Sequence, residues 1–323
     1  MEINQQYENN DKMSKPMKKA MLVLNCIILG IGNCFGPLVQ RLYFVKGGKR
    51  IWISSWLYTA GWPFLIIPLI CYFMYKKRNG SQETKLISLK PSVFFPCAIL
   101  GVFTGLMIIW LLIACLFYPI NAVVLLSIGA VILALHSSSD RPDHESNIKY
   151  YKGFFMILGS SALYGFILPS IELTLKKAKQ PITYSLVMEM QIVMAFFATT
   201  FCTIGMLINH DFKEIPHEAR NFELELGEVT YYVILSVNSL LWQFYFLGAI
   251  GVIFCASSLL SGIIIATLLP VTESLAVLFF HEKFQAEKGL SLALSLWGFI
   301  SYFYGEFKHV KKMKRGLEVG SIP

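Results

Sequence analysis

Charged residues are missing from seven long stretches of the chain: 20–40, 51–75, 91–139, 153–171, 190–209, 229–272 and 289–305. A helix needs roughly 20 apolar residues to cross the hydrocarbon of a bilayer. Inside it, every backbone polar group must be satisfied without water, which leaves helices as the natural solution for runs of this kind. Five of the stretches have the length of one crossing, and the other two, of 49 and 44 residues, must each fold back at least once. Together they hold 195 of the 323 residues, enough for nine or ten spans. The fold class expected is all-α, a polytopic membrane protein.

The charges that remain exclude several functional classes. They make up 15% of the chain, against roughly 25% in an ordinary soluble domain. The net charge of +8 comes from 28 Lys and Arg concentrated in tails and connections, which is a topology signal and not a nucleic-acid patch. All seven cysteines lie inside apolar runs without metal-ligand spacing and read as small packing residues. The segment 1–19 is polar, so no cleavable signal peptide is read there. No HExxH or GxSxG motif occurs, and the six histidines fall in loops or near span ends. An enzyme is therefore not expected, and neither a metal nor a cofactor is implied.

Breakers divide the runs into spans near 20–42, 51–75, 92–117, 119–136, 151–173, 182–207, 229–248, 252–280 and 289–305. Gly61-Trp62-Pro63 is expected to kink the second span, Gly248–Gly251 to split the run 229–272, and Pro270 to break the span that follows. Gly47-Gly48 reads as a turn. Lysines and arginines mark the cytoplasmic side. Lys12, Lys15, Lys18 and Lys19 precede the first span, and Lys76, Lys77, Arg78, Lys85 and Lys90 follow the second. The basic tail after 305 and the loop with Lys176, Lys177 and Lys179 also belong inside, whereas the acidic loop 210–228 belongs outside. Apart from the connection 41–50, whose four basic residues must sit outside, both halves satisfy the rule only if an odd number of spans separates Lys90 from Asp140, yet the run between them reads as two.

Several stretches in order resemble the plant purine permease family, within the drug/metabolite transporter superfamily. In the first half these are Gly36-Pro37-Leu38, Arg41-Leu42-Tyr43-Phe44, Gly61-Trp62-Pro63 and Ser137-Ser138-Ser139-Asp140-Arg141-Pro142. In the second they are Tyr164-Gly165-Phe166-Ile167-Leu168-Pro169 with Glu172, Met188-Glu189-Met190-Gln191, Leu241-Trp242-Gln243, Leu268-Leu269-Pro270-Val271-Thr272-Glu273 and His281-Glu282-Lys283-Phe284. The resemblance implies ten helices in two repeats of inverted topology. It makes 1–19 a cytoplasmic tail, 20–139 the first repeat, 140–150 a polar loop, 151–305 the second repeat and 306–323 a basic cytoplasmic tail. It also implies uptake of purine nucleobases and purine-like compounds such as adenine and cytokinins, coupled to protons, at the plasma membrane. The expected partners are thus a purine-like solute, the proton and the lipid bilayer, without nucleic acid. Members of the family carry one more helix near 107–118, where this chain has an apolar bridge. A form short of one helix leads to a different expectation: a non-transporting protein that associates with a full-length relative.

A purine offers faces for stacking and edges for hydrogen bonds, so its site should combine aromatics with amides. Asn238, Trp242 and Tyr245 recur at i, i+4 and i+7 on one helical face, with Gln243 adjacent. Trp62, Gln40 and Asn33 are further candidates for substrate binding. Proton coupling calls for an ionisable group at membrane depth, where such groups are costly. Glu189, Glu273 and Glu172 meet that description, although Glu172 also has Lys176 at i+4 as a plain ion-pair partner.

Overall fold

The structure, a computed structural model, describes residues 15–48, 50–78, 89–117, 147–178, 180, 183–222, 227–280 and 297. Every element among them is a helix: α1 Lys15–Val45, α2 Ile51–Thr59, α3 Trp62–Arg78, α4 Pro91–Phe117, α5 Asn147–Lys176, α6 Tyr184–Ile208, α7 Asp211–Arg220, α8 Gly227–Cys255 and α9 Ser258–Phe280. Seven segments are long and apolar enough to cross a membrane, with α2 and α3 together forming one of them, Ile51–Arg78. The protein is thus an all-α, multi-pass membrane protein. The expected spans 119–136 and, apart from Trp297, 289–305 lie outside the described residues.

Chain breaks fall partly where the sequence places them. Gly61-Trp62-Pro63 does divide the second span, α2 ending at Thr59 and α3 starting at Trp62. Gly47 takes φ +114°, so the turn after α1 needs a residue without a Cβ. The run 229–272, however, does not split at Gly248–Gly251. Helix α8 continues to Cys255, and the break falls at Ala256-Ser257. Those glycines serve contact: Gly248 sits against the backbone of Leu29, and Gly251 against Asn25. Pro270 does not break α9, nor does Pro169 break α5. A bilayer tolerates a proline inside a helix where neighbouring groups satisfy the freed backbone.

Contacts fix the relative directions of the spans. Helices α1 and α8 are antiparallel, with Gln40 against Asn238, Gly36 against Trp242 and Gly248 against Leu29. Helix α9 runs parallel to α1, since Gly30 faces Leu268 and Arg41 lies over the Phe280 ring. Helices α4 and α6 are parallel (Gly101 on Met194, Gly105 on Ala198). Helices α4 and α5 are antiparallel: the Ser160 hydroxyl donates to the Met107 carbonyl at 3.1 Å, Trp110 covers Gly159, and Phe103 meets Phe166. The segment from Met107 is therefore no bare bridge, because Ile108 and Leu112 are buried in the core. It follows that Phe117 and Asn147 emerge on the same side of the bilayer, as the distribution of basic residues demands.

Helix α7 caps one end of this bundle. Its first turn carries Asp211 and Glu214 and its last His217 and Arg220, matching the helix dipole. Arg50 pairs with Asp211 at 3.3 Å and Glu214 at 3.1 Å. Glu218 Oε2 accepts hydrogen bonds of 2.9 Å from both Tyr43 of α1 and Tyr231 of α8.

Two predictions follow from this architecture. A Cβ at Gly32 would run into the Tyr245 backbone nitrogen, whereas one at Gly165 meets nothing within 4 Å among the described residues. Gly32→Leu should therefore cost at least about 1–3 kcal/mol through overpacking and lower the melting temperature in detergent, while Gly165→Ala should not. Burial raises the Asp211 carboxyl above its ordinary value; Arg50 opposes the rise, and Glu218 and Glu214 add to it. Protonation is thus easier when α7 is docked than when it is free. Docking should tighten as pH falls through the raised value towards the ordinary carboxylate range. Hydrogen exchange of the α7 amides in nanodiscs should slow over that interval, and Asp211→Asn should flatten the response.

Candidate functional site

The residues on the expected face of α8 are all buried: Asn238 at 0%, Trp242 and Tyr245 at 8% exposure. They face three different helices. Asn238 Nδ2 donates to Gln40 Oε1 on α1. The Trp242 indole stacks on Tyr58 of α2, with centroids 3.7 Å apart and planes 21° apart, and its other side lies against Gly36. Tyr245 meets Trp242 edge-on at 5.4 Å and shares a 2.7 Å hydrogen bond with the Tyr164 hydroxyl of α5. Amides and aromatic faces thus converge between α1, α2, α5 and α8, with Trp242 midway along its helix.

The polar atoms of this cluster are incompletely satisfied. Gln40 Nε2, Asn238 Oδ1 and Trp242 Nε1 are buried and have no hydrogen-bond partner among the described residues. A buried polar atom left unpaired costs about 1–3 kcal/mol, and such groups usually find partners. An amide pair leaves a donor and an acceptor side by side, and the indole adds a second donor. This set suits a planar heteroaromatic ring whose edge both accepts and donates.

Gln243 has a different place. Its Oε1 accepts from Gln191 of α6 at 3.1 Å, and its Nε2 reaches the carbonyls of Tyr58 at 3.4 Å and Thr59 at 3.2 Å. Those carbonyls lose their helical donors where α2 stops. Gln243 and Gln191 therefore hold the break before α3 in place. Asn33 is turned to α9, donating to the Ile265 carbonyl at 3.3 Å, and its own carbonyl accepts from Thr272. Trp62 packs edge-on against Phe196 of α6 at 5.7 Å, away from the amide pair.

The three carboxylates are also separated. Glu189 is buried in α6, two residues before Gln191, so it lies within about one turn of the Gln191–Gln243 link. Glu172 pairs with Lys176 at 2.6 Å and accepts from the Ser258 backbone N–H at 2.8 Å, capping the start of α9. Glu273 belongs to α9, but its side chain lies outside the described residues. Sequence reasoning missed Tyr58, Tyr164 and Gln191. An amide two residues after a buried glutamate was the available signal for Gln191, whereas Tyr58 reaches Trp242 only through tertiary packing.

A multi-helix bundle with a buried amide–aromatic layer between its spans has the build of a small-solute carrier. The family model for purine nucleobase transmembrane transport matches residues 20–119 and 111–312. Purine permease 3 of Arabidopsis thaliana is 45% identical over 332 aligned positions, covering 93% of this chain and 94% of the relative. Purine permease 2 of the same plant is 44% identical over 352 positions, covering 95% and 98%. Probable purine permease 5 is 35% identical, covering 83% and 81%. The chain belongs to the plant purine permease family. One detail concerns length: 93% of 323 residues is about 300, so about 32 of the 332 positions shared with purine permease 3 have no residue here. That number of residues suffices for one span with its connection, and the two parts of the family match meet at 111–119.

The two amides on α8 should respond differently to substitution. Gln243→Leu strips the Tyr58 and Thr59 carbonyls and Gln191 of their partner and should lower stability by about 1–3 kcal/mol. Asn238→Leu removes an unsatisfied acceptor along with one bond and should cost less. Thermal unfolding of both variants in detergent measures the difference.

Proposed function

We propose that this protein carries purine nucleobases and purine-like compounds, adenine and cytokinins among them, across the plasma membrane by secondary active transport coupled to protons. The observation that carries the reading is the buried set of Gln40, Asn238 and Trp242, with an unpaired donor, acceptor and donor beside the Tyr58 ring. The solute hydrogen-bonds the amide pair and takes the place of the Tyr58 ring on the Trp242 indole, so binding parts that stack. Tyr245 and Tyr164 close the side towards α5. Glu189 is the favoured proton-carrying group, because it is buried near the Gln191–Gln243 link. Glu172, already neutralised by Lys176, has less to gain from a proton, and Glu273 stands as a further candidate.

Access to the site alternates between the two sides by movement of one group of spans against the other, as in transporters built from inverted repeats. The directions of α1, α2–α3 and α4 oppose those of α5, α6 and α8 in turn, which supports such a repeat. The gap against purine permease 3 favours a second reading, a form short of one helix that does not transport and acts by associating with a full-length relative.

Uptake of labelled adenine in cells lacking their own nucleobase permease, measured across external pH, separates the two readings. Transport predicts saturable uptake that rises as pH falls and collapses with an uncoupler. It also predicts that Trp242→Ala weakens adenine uptake by about tenfold or more, since base–aromatic stacking is worth about 1–3 kcal/mol. Absence of uptake by correctly inserted wild-type protein would sink the transport reading in favour of the second.

A further inference from the structure

We propose that Ser54 of α2 is a further specificity-determining residue, whose hydroxyl completes with Gln40, Asn238 and Trp242 one hydrogen-bonding wall for the edge of an aminopurine. This inference rests on the purine-binding reading above and extends it to a residue outside the amide–aromatic set.

Ser54 is fully buried, and its hydroxyl has no partner among the described residues. That is unusual for this molecule. A hydroxyl on a helix normally satisfies itself on a carbonyl one turn back, as Ser55, Thr104, Thr174 and Thr272 do here. Ser54 lies directly beside Ser55, on the same short helix, and leaves that easy bond unmade.

Its location gives the reason. Helices α2 and α8 both start at α7, through Arg50 to Asp211 and Tyr231 to Glu218, so they run in the same direction. One turn back towards α7 from the Tyr58–Trp242 stack lie Ser54 on α2 and Asn238 on α8. Around them, Ile53 and Leu57 form a cluster against which Leu235 packs, which keeps these two turns at one level. Asn238 in turn holds Gln40 of α1. Among the described residues of the spans, the side chains with an unpaired buried atom are therefore four, Gln40, Ser54, Asn238 and Trp242, and all belong to this one layer.

The chemistry of the wall defines the ligand edge. Gln40 Nε2 and Trp242 Nε1 donate, Asn238 Oδ1 accepts, and Ser54 Oγ does either. The matching edge has at least two ring acceptors and one donor, as an aminopurine has in its ring nitrogens and exocyclic amine. A site with desolvated polar groups rejects analogues that leave one of them unpaired.

The test compares wild type, Ser54→Ala and Ser54→Thr in adenine uptake, with 1-deaza-, 3-deaza- and 7-deazaadenine as competitors. Thermal shift of the purified proteins with the same four compounds provides a readout that does not need transport. In wild type, each analogue that loses a read nitrogen should compete about 3- to 10-fold less well than adenine, the value of one neutral hydrogen bond. Ser54→Ala should abolish that penalty for one analogue and leave the others unchanged, and Ser54→Thr should restore it. Unchanged adenine affinity and an unchanged ranking in Ser54→Ala would overturn the assignment. Binding with the expected Ser54 signature but no uptake would support it while overturning transport, and wild type that neither binds nor transports adenine would overturn both.

Discussion

Helices α1 and α8 touch backbone to backbone, and the rest of the structure is arranged around that contact. Gly32 and Gly36 on α1, and Gly248 and Gly251 on α8, leave no Cβ between the two helices; a Cβ at Gly32 would run into Tyr245, and one at Gly248 into Leu29. Lipid tails are as apolar as leucine, so close van der Waals packing of small residues is a main source of attraction between membrane helices. The contact also has a chemical consequence. The close approach of the backbones brings Gln40 to Asn238 and sets the Trp242 indole against Gly36 of α1.

A second constraint is the interruption between α2 and α3. Ending α2 at Thr59 strands carbonyls inside a medium without water, where they would be expensive. Gln243 and Gln191 answer that need from two other helices. Neighbouring positions on α8 therefore serve opposite ends. Gln243 is satisfied and fixes the break, while Asn238 and Trp242 remain partly unsatisfied and face the interior. The break in turn lets Tyr58 end its helix in stacking contact with Trp242, so a local cost in backbone hydrogen bonding positions an aromatic platform.

How much of this was legible in the sequence depends on the range of the interaction. The spans were visible because they follow from missing charges, a property of contiguous residues. The i, i+4, i+7 face of Asn238, Trp242 and Tyr245 was visible too, since helical periodicity is local. Gly248 and Gly251 look alike as a break and as a contact surface, and only the position of α1 decides between them. Likewise Gln40, Asn33 and Trp62 are equivalent in type as candidates, yet they point to α8, α9 and α6 respectively. Tyr58 and Ser54 belong to a short helix whose orientation is set by its partners, so nothing in their own neighbourhood marks them.

The relation between the polar layer and α7 joins these observations. Gln40 is three residues from Tyr43, about 4.5 Å along α1, and Tyr43 with Tyr231 is tied to Glu218 of α7. The helices that form the layer are thus the ones that α7 clamps together, and Arg50 adds the start of α2 to the same clamp. The links from α7 to α1, α2 and α8 thus converge at the end of the layer nearest Gln40. The buried atoms of Gln40, Ser54, Asn238 and Trp242 that lack a partner among the described residues each carry a desolvation cost, which a ligand that pairs them removes. On the proposed purine-binding reading, a solute with the matching edge recovers that cost and one without it does not, so the shortage of partners becomes a source of selectivity.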